Sequence, residues 1–426
     1  MERLLLHHFA HEASRITSCH PRIQFDFCQL LLPMALSYRP LRSALMALSA
    51  IHRNSLYAHP SSISSSSSTS LSSPVASTPE GDAVISLKIS SISQLRQELL
   101  QSSSESGMRD AVLATALTLC MCEIHSGADQ PRSWRLHLEG AKAILSSHGN
   151  SRQVEVRDAS IHDGLLGRWF TSIAALAAIS DGGLKAGQLS SASSGYLYSA
   201  TGVVGQGNES EVYLDDYFGF STDLAQVFIE ISALTHERRS LSCPSSSRVS
   251  LSDADLELEA AALESQILSM ITRDFTQSPK FFPGVREQLC LETIKEFQLC
   301  NEAYQNTALL HIYRRVLLLE KKDEKVQDSV KRVLECVRGI RPQGGLSPYI
   351  VLNVPLFTAG RDAIGDDRDA IKGHLIELAQ MTGLRNVKRG LEILESMWGS
   401  GQEGFLSKFL RQDCHYEFDA DMMYRR

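Results

Sequence analysis

The sequence predicts an all-α fold, a multi-helix array that forms one large body or two interlocked lobes. Apolar residues recur at intervals of three and four along most of the 426-residue chain, which is the period of an amphipathic helix. No stretch shows the convincing period-two alternation of a half-buried strand, and no internal repeat of fixed length is present. Three low-complexity segments separate the helical stretches.

The first half of the chain contains three predicted helices, each marked by an apolar stripe. Pro40 suits a helix start, because it lacks an N–H and its φ is already helical. Asp181 and the two glycines after it should end the third stripe. The stripes are Leu41, Ala44, Leu45, Leu48 and His52; Leu113, Leu117, Cys120, Met121 and Ile124; and Leu166, Phe170, Ile173, Ala174 and Ala177.

The second half contains four more predicted helices. Ser252 and Asp255 have the spacing of a capping box at the start of one of them. The stripes are Leu224, Val227, Phe228, Ile231 and Leu234; Leu256, Ala260, Leu263, Ile267 and Ile271; Val326, Val330, Val333, Leu334 and Val337; and Val387, Leu391, Leu394 and Trp398.

Residues 353–361 lie between the last two stripes and predict a buried helix start. Pro355 must begin or break a helix, because its φ is fixed and it has no N–H. Gly360 permits close packing where a side chain would not fit. Arg361 is the one charge in this segment.

The low-complexity segments give the predicted organisation. Residues 61–82 form a Ser-rich linker that we expect to be disordered, because such a composition cannot build a packed core. N-terminal helices in 1–60 precede it, and the main helical region, 83–426, follows it, with loops near 180–211 and 240–252. Ser73 and Thr78 each precede a proline. They are either proline-directed phosphorylation sites or plain loop residues, and the serine-rich composition favours the second reading.

Charge and composition exclude several classes of protein. The net charge of −7 argues against broad, nonspecific binding to nucleic acid, which needs clustered cations. No apolar run reaches the roughly 18 residues of a membrane span. The apolar run at the N-terminus is too short for a signal peptide. We therefore expect an intracellular chain without a membrane segment.

The nine cysteines predict reduced structural thiols rather than a metal site. Only Cys120 and Cys122 lie close together, and they fall inside an apolar helix stripe. Positions two apart on a helix point to different sides, so these two thiols are poorly placed to share a metal. We expect no metal and no cofactor.

Each candidate enzyme motif in the sequence lacks a residue that its chemistry requires. His11 and the glutamate after it would begin a zinc-protease motif, but Arg15 stands where the second histidine is needed. Asp366 and Asp367 lack the third carboxylate of a magnesium-binding DDxxD sequence, so a helix cap is the better interpretation. The sequence therefore predicts a protein that is not an enzyme.

Three side chains are candidates for an effector site. Arg361 is flanked by apolar residues, so we expect it to be partly buried and to need an anionic partner. An internal carboxylate is favoured, and the carboxylate or phosphate of a small effector is the alternative. Trp134 and His137 have the same two readings. A core role is the default for both, with Gly140 permitting close helix packing beside them.

A co-linear series of segments resembles the fungal-specific transcription factor domain. This domain is the helical region found C-terminal to the zinc cluster of many fungal regulators. The matching segments are 4–9, 31–36, 45–50, 114–145, 218–221 and 301–398. The last of them contains Ile312, Tyr313, Arg314, Arg315 and Val316, the Pro355 segment, and the sequence from Gly383 to Val387.

The resemblance implies a transcription regulator in the nucleus, with a helical region that controls activity, dimerises or responds to an effector. It further implies that the regulator controls the genes of one metabolic pathway, for example a pathway of secondary metabolism. Its partners would be other transcription factors, a second copy of the chain, or a small-molecule effector. The six closely spaced cysteines of the zinc cluster are not in this sequence. We therefore expect the chain alone to bind DNA weakly and without sequence preference. The alternatives are a co-regulator that titrates a zinc-cluster partner, and an all-helical enzyme of an unrecognised kind.

Overall fold

The computed structural model describes residues 1–57, 79–101, 106–127, 133–146, 161–180, 211–241, 251–342 and 346–399. Ser73 and Thr78, the candidate phosphorylation sites, lie outside these residues. Fourteen α-helices account for most of the described chain. In the described residues, β-pairing is limited to two isolated bridges, which join Leu214 to Ser221 and to Phe281. The all-α prediction is confirmed.

The helices of the first half are α1 (Glu2–His8), α2 (Pro21–Ser37), α3 (Arg39–Tyr57), α4 (Pro79–Gln101), α5 (Ser106–Ser126), α6 (Ser133–Ser146) and α7 (Ile161–Ile179). The helices of the second half are α8 (Thr222–Leu241), α9 (Asp253–Thr276), α10 (Leu291–His311), α11 (Glu324–Arg338), α12 (Asn353–Asp362), α13 (Asp366–Thr382) and α14 (Arg385–Gly399). Single turns of π-helix follow α1 (Phe9–Ala13) and α10 (Ile312–Val316).

The predicted stripes form the buried faces of these helices. Every residue of the stripes that begin at Leu224 and Val326 is buried. Five positions of other stripes are only half-buried: Met121, Ile124, Ile271, Leu391 and Trp398. The capping box at the start of α9 is present, with both of its hydrogen bonds formed between Ser252 and Asp255.

Two large apolar clusters make up the core. The first is built mainly from α2, α3, α5, α6 and α7, and the second mainly from α8 to α14. Helix α10 belongs to both. Its Ile294 and Phe297 lie in the first cluster, whereas Cys300 and the residues after it lie in the second. The two clusters therefore share one long helix.

Helix α12 is short and almost entirely buried, as the sequence predicts. Pro355 lies in its first turn, where the missing N–H leaves no broken hydrogen bond. A Cβ on Gly360 would lie 2.6 Å from Cδ1 of Leu394 and 3.2 Å from Cγ2 of Ile371. The Gly360 carbonyl also accepts a 2.9 Å hydrogen bond from Nε1 of Trp398. Glycine at this position thus allows α12 and α14 to pack closely.

Three boundaries differ from the predictions. Helix α4 begins at Pro79, so the last four residues assigned to the Ser-rich linker, 79–82, are helical. Helix α8 continues to Leu241, inside the loop expected near 240–252. Asp366 and Asp367 occupy the first turn of α13 rather than its cap, which is Gly365. Carboxylates are favoured in a first turn because they face the positive end of the helix dipole.

Candidate effector site

Helix α6 carries two of the three predicted site residues. Trp134, Leu138 and Ala141 are buried in the first cluster, so Trp134 has the core position that was its default interpretation. The expectation for Gly140 is wrong. It lies on the exposed side of α6, where a Cβ would meet no atom of the described residues within 4 Å.

The indole N–H of Trp134 is the unusual feature of this helix. Trp134 is only 5% exposed, and its Nε1 has no hydrogen-bond partner among the described residues. A buried N–H without an acceptor is destabilising by about 1–3 kcal/mol. A ligand oxygen that accepted a hydrogen bond from Nε1 would remove this cost.

A buried ion pair lies next to this indole. The carboxylate of Glu123, at the end of α5, is 2.5 Å from Nζ of Lys88 on α4. It also accepts a 3.0 Å hydrogen bond from the hydroxyl of Ser133, the residue before Trp134. Glu123 is only 6% exposed. A cation and a hydroxyl together compensate this carboxylate, which joins α4, α5 and the start of α6.

His137 lies one turn beyond Trp134 and is half-buried. Burial lowers the pKa of its imidazole, and the nearby Lys88 lowers it further, against an opposing effect of Glu123. His137 is therefore a neutral hydrogen-bonding group at neutral pH.

Three more histidines lie between α1, α3 and α5. His8 and His52 share a hydrogen bond of 3.1 Å between Nε2 and Nδ1. Burial lowers the pKa of His52 to about 4, with a further lowering from His8 and an opposing hydrogen bond to the backbone of Thr382. Burial also lowers the pKa of His125 to about 3, and His52 contributes to that shift. These imidazoles are neutral in the folded chain.

Arg361, the third predicted residue, lies on α12 and is half-buried as expected. Its charge acts on His311, at the end of α10. Burial lowers the pKa of His311 well below its usual value, and Arg315 and Arg361 lower it further. The internal carboxylate expected as the partner of Arg361 stays a prediction. The nearby buried carboxylate, Asp362, accepts a 2.7 Å hydrogen bond from Nε of Arg314.

The π-turn after α10 places two consecutive arginines against different helices. Arg314 bonds to Asp362 on α12. Arg315, only 9% exposed, donates a 2.6 Å hydrogen bond to the carbonyl of Ile179 at the end of α7, and lies 3.2 Å from Nδ1 of His311. Single π-turns inside α-helices are frequent at functional sites. This turn ties α7 to α12.

The structure brings α6 and the π-turn to the same end of α7. Arg135, whose guanidinium lies over the Trp134 ring, donates a 3.3 Å hydrogen bond to the hydroxyl of Ser180. Ser180 follows Ile179, which Arg315 binds. We name this region the junction: Trp134 and Arg135 of α6, Ile179 and Ser180 after α7, and Arg315 of the π-turn.

The sequence reasoning found Trp134, His137 and Arg361 but missed the side chains around them. Lys88, Glu123 and His125 were not identified. A signal was present, because Glu123 and His125 interrupt an otherwise apolar run on α5. A charge inside an apolar run needs a partner when it is buried.

Cys120 and Cys122 both lie in the first cluster, and burial raises the pKa of each thiol. Low-dielectric surroundings disfavour the thiolate that a metal would need. No group of three His, Cys, Asp or Glu side chains in the described part of the chain is arranged to hold a metal ion.

Comparison with known families decides the kind of protein. The model of the family described as "Fungal specific transcription factor domain" matches residues 3–404. The chain belongs to this family. No curated protein and no solved structure matches the chain.

Membership makes this fungal-specific transcription factor domain a transcription regulator. The match extends over α1 to α14, so both apolar clusters and the junction lie inside the family domain. Among the described residues, no helix of the domain is both long and apolar enough to span a bilayer.

Proposed function

We propose that the protein is a nuclear, pathway-specific transcription regulator whose helical domain responds to a small-molecule effector bound beside Trp134. Membership of the family supports transcription regulation and a nuclear location. The more specific part of the proposal is that the regulator controls the genes of one pathway, for example a pathway of secondary metabolism. The observation that carries effector binding is the buried Nε1 of Trp134, which lacks a partner among the described residues.

The surroundings of Trp134 define the chemistry of the effector. The indole donates, so the effector presents an acceptor such as a carbonyl or carboxylate oxygen. Lys88 and Ser133 add donors, although both already serve Glu123. His137 is neutral and either donates or accepts. The proposed effector is therefore a small polar metabolite with at least one acceptor oxygen.

The junction gives the effector a route to the second cluster. A ligand at Trp134 changes the position of α6, and Arg135 connects α6 to Ser180. Arg315 and the π-turn continue this contact to α12. Binding would then shift the population between two packings of the helices, provided that the ligand prefers one of them. A zinc-cluster transcription factor that contacts this chain, or a module joined to it, would hold the DNA.

Trp134→Phe tests the proposal, because it removes the N–H and keeps an aromatic ring. The matched control is Leu138→Val, on the same buried stripe. It loses packing without losing a polar atom and costs about 1 kcal/mol, comparable to the packing lost in Trp134→Phe. The readout is the melting temperature of the purified chain with and without a low-molecular-weight extract of fungal cells.

A ligand that binds the folded state raises the melting temperature. The unsubstituted chain and Leu138→Val should both shift upward with the extract, and Trp134→Phe should not. An equal shift in all three proteins would show that the effector does not use the indole N–H. No shift in any of them would remove the support for an effector.

Arg361→Met separates the two readings of that residue. If Arg361 anchors an internal carboxylate, the variant should lose about 3–5 kcal/mol of stability and melt at a lower temperature. The reporter response should not change in any other way. We expect this structural outcome. An unchanged melting temperature together with a lost reporter response would instead place Arg361 in the effector site.

A further inference from the structure

Two histidines near the start of the chain lie one helical turn apart, with their rings almost in contact. His7 belongs to α1, and His11 belongs to the π-turn that follows it. The centroids of the two imidazole rings are 4.3 Å apart, and the ring planes are inclined by 42°. Both side chains are exposed, so the core does not hold either ring in place. Side chains four positions apart are neighbours on a helix surface, which explains why the rings meet.

This spacing is the one that metal-binding histidines use on a helix. In the zinc-protease motif, two histidines four positions apart lie on one face and bind the ion together. Arg15 breaks that motif after His11, but His7 supplies a second imidazole four positions before it. The motif also needs a glutamate directly after its first histidine, where this chain has His8. The pair is therefore suited to binding a metal rather than to hydrolysis.

The distance between the two rings suits one shared ion. A zinc ion lies about 2.0–2.1 Å from each histidine nitrogen, so two nitrogens on one tetrahedral ion are about 3.4 Å apart. Rings whose centroids are 4.3 Å apart already place their edges near this separation. Because both side chains are exposed, rotation about their side-chain torsions can direct one nitrogen of each ring at the ion.

The neighbouring side chains limit the site to these two histidines. The Nε2 atom of His8 is engaged with Nδ1 of the buried His52 on α3, at 3.1 Å. Glu12 is exposed in the π-turn and favours a cation, whereas Arg3, exposed one turn before His7, opposes it. No set of three metal ligands occurs among the described residues. Water must complete the coordination, so the ion is bound more weakly than in a closed structural site.

We propose that His7 and His11 form an open, two-histidine site for a divalent transition-metal ion such as Zn²⁺. Imidazole is a preferred ligand of Zn²⁺, whereas Mg²⁺ and Ca²⁺ prefer oxygen ligands, so the site discriminates between these two groups of ions. The bound ion joins the last turn of α1 to the π-turn. Unlike the zinc cluster of the fungal regulators, this site uses no thiol. It does not depend on effector binding at Trp134, so either proposal can fail without the other.

Titration of the metal-free full chain with ZnCl₂ tests the site. Histidine-selective isotope labelling lets NMR follow each imidazole separately. The signals of His7 and His11 should change together and saturate at a single shared ion, whereas the signal of the buried His125 should stay unchanged. MgCl₂ at the same concentrations should change neither signal, because Mg²⁺ prefers oxygen ligands.

Variants of the two histidines test whether they act as a pair. His7→Gln and His11→Gln should each weaken zinc binding at the remaining imidazole by at least about tenfold, since loss even of an outer-shell partner typically costs about 10–100-fold. His236→Gln, on α8, is the matched histidine control and should leave the affinity unchanged. Cys290→Ser removes the exposed thiol among the described residues and should also leave the affinity of the pair unchanged.

Three results would overturn the proposal. The first is the absence of any change at either imidazole during the zinc titration. The second is a separate affinity at each imidazole, including full affinity at His7 in the His11→Gln chain. The third is an equal response to MgCl₂, which would show a general effect of divalent charge rather than coordination by imidazole.

Discussion

Mild acid should destabilise this domain through two buried histidines. His52 and His125 have pKa values of about 4 and about 3 in the folded chain, against a reference value of 6.5 for each. Below pH 6.5 these imidazoles become protonated in the unfolded chain, whereas in the folded chain they stay neutral until the pH approaches 4. Stability therefore rises with pH across this window and is lost on acidification.

The size of the effect follows from the shifts. At pH 7 both histidines are mostly neutral in either state, so they contribute little pH dependence. At pH 5 the pH lies about 1.5 units below the reference pKa of each unfolded imidazole, so protonation stabilises the unfolded chain by about 2 kcal/mol per histidine at about 1.4 kcal/mol per unit. The two together lower the free energy of unfolding by about 4 kcal/mol, a large part of the roughly 5–15 kcal/mol typical of a folded domain.

Urea unfolding followed by circular dichroism at pH 7 and pH 5 measures this loss. In His125→Gln the difference between the two pH values should shrink by about 2 kcal/mol, because one titrating group is gone. His11→Gln is the matched control, since His11 is exposed near the N-terminus. It should leave the difference unchanged. If His125→Gln loses as much stability between pH 7 and pH 5 as the unsubstituted chain, the reasoning is refuted.

Two further pairs of variants test the packing and the ion pairs by calorimetric melting. Gly360→Ala should destabilise the domain by about 1–3 kcal/mol, because its Cβ overlaps the facing helix, whereas Gly140→Ala at an exposed helical position should stabilise it by about 0.5–1 kcal/mol. A destabilised Gly140→Ala would contradict the exposed position. Arg314→Met leaves the carboxylate of Asp362 buried without its cation and should cost about 3–5 kcal/mol, whereas Arg332→Met removes surface ion pairs and should cost less than about 1 kcal/mol. Equal losses in the two arginine variants would show that burial does not set the value of these pairs.

The fold was largely predictable because helical periodicity is a local signal. The stripe that begins at Val326 could be identified without knowing its neighbours, and it is buried throughout. Helix α4 shows where this signal weakens. Its inner face carries Lys88 and Ser91, whereas its outer face carries isoleucines. On this helix, therefore, the apolar positions in the sequence do not mark the side that faces the core. Local pattern cannot identify a half-buried lysine whose partner, Glu123, lies 35 positions along the chain.

The candidate site was predictable only in part, because its geometry is built from contacts distant in sequence. Trp134 and Arg361 could be chosen as large or charged residues in apolar surroundings. The link from Arg315 to the carbonyl of Ile179 spans 136 positions, and no spacing rule reaches that far. Gly140 illustrates the opposite error. A glycine next to buried positions suggests close packing against a second helix. That inference holds only if the glycine lies on the side of the helix that faces one, and Gly140 does not.

The sharing of α10 between the two clusters makes the domain indivisible. A fragment ending at residue 180 would lack Ile294, Phe297 and Ile350, which complete the first cluster from the second half of the chain. Such a fragment would expose apolar surface that the intact chain hides, and it should aggregate or depend on the complementary fragment for solubility. For the same reason the intact chain should unfold in one cooperative step, with neither half surviving the loss of the other.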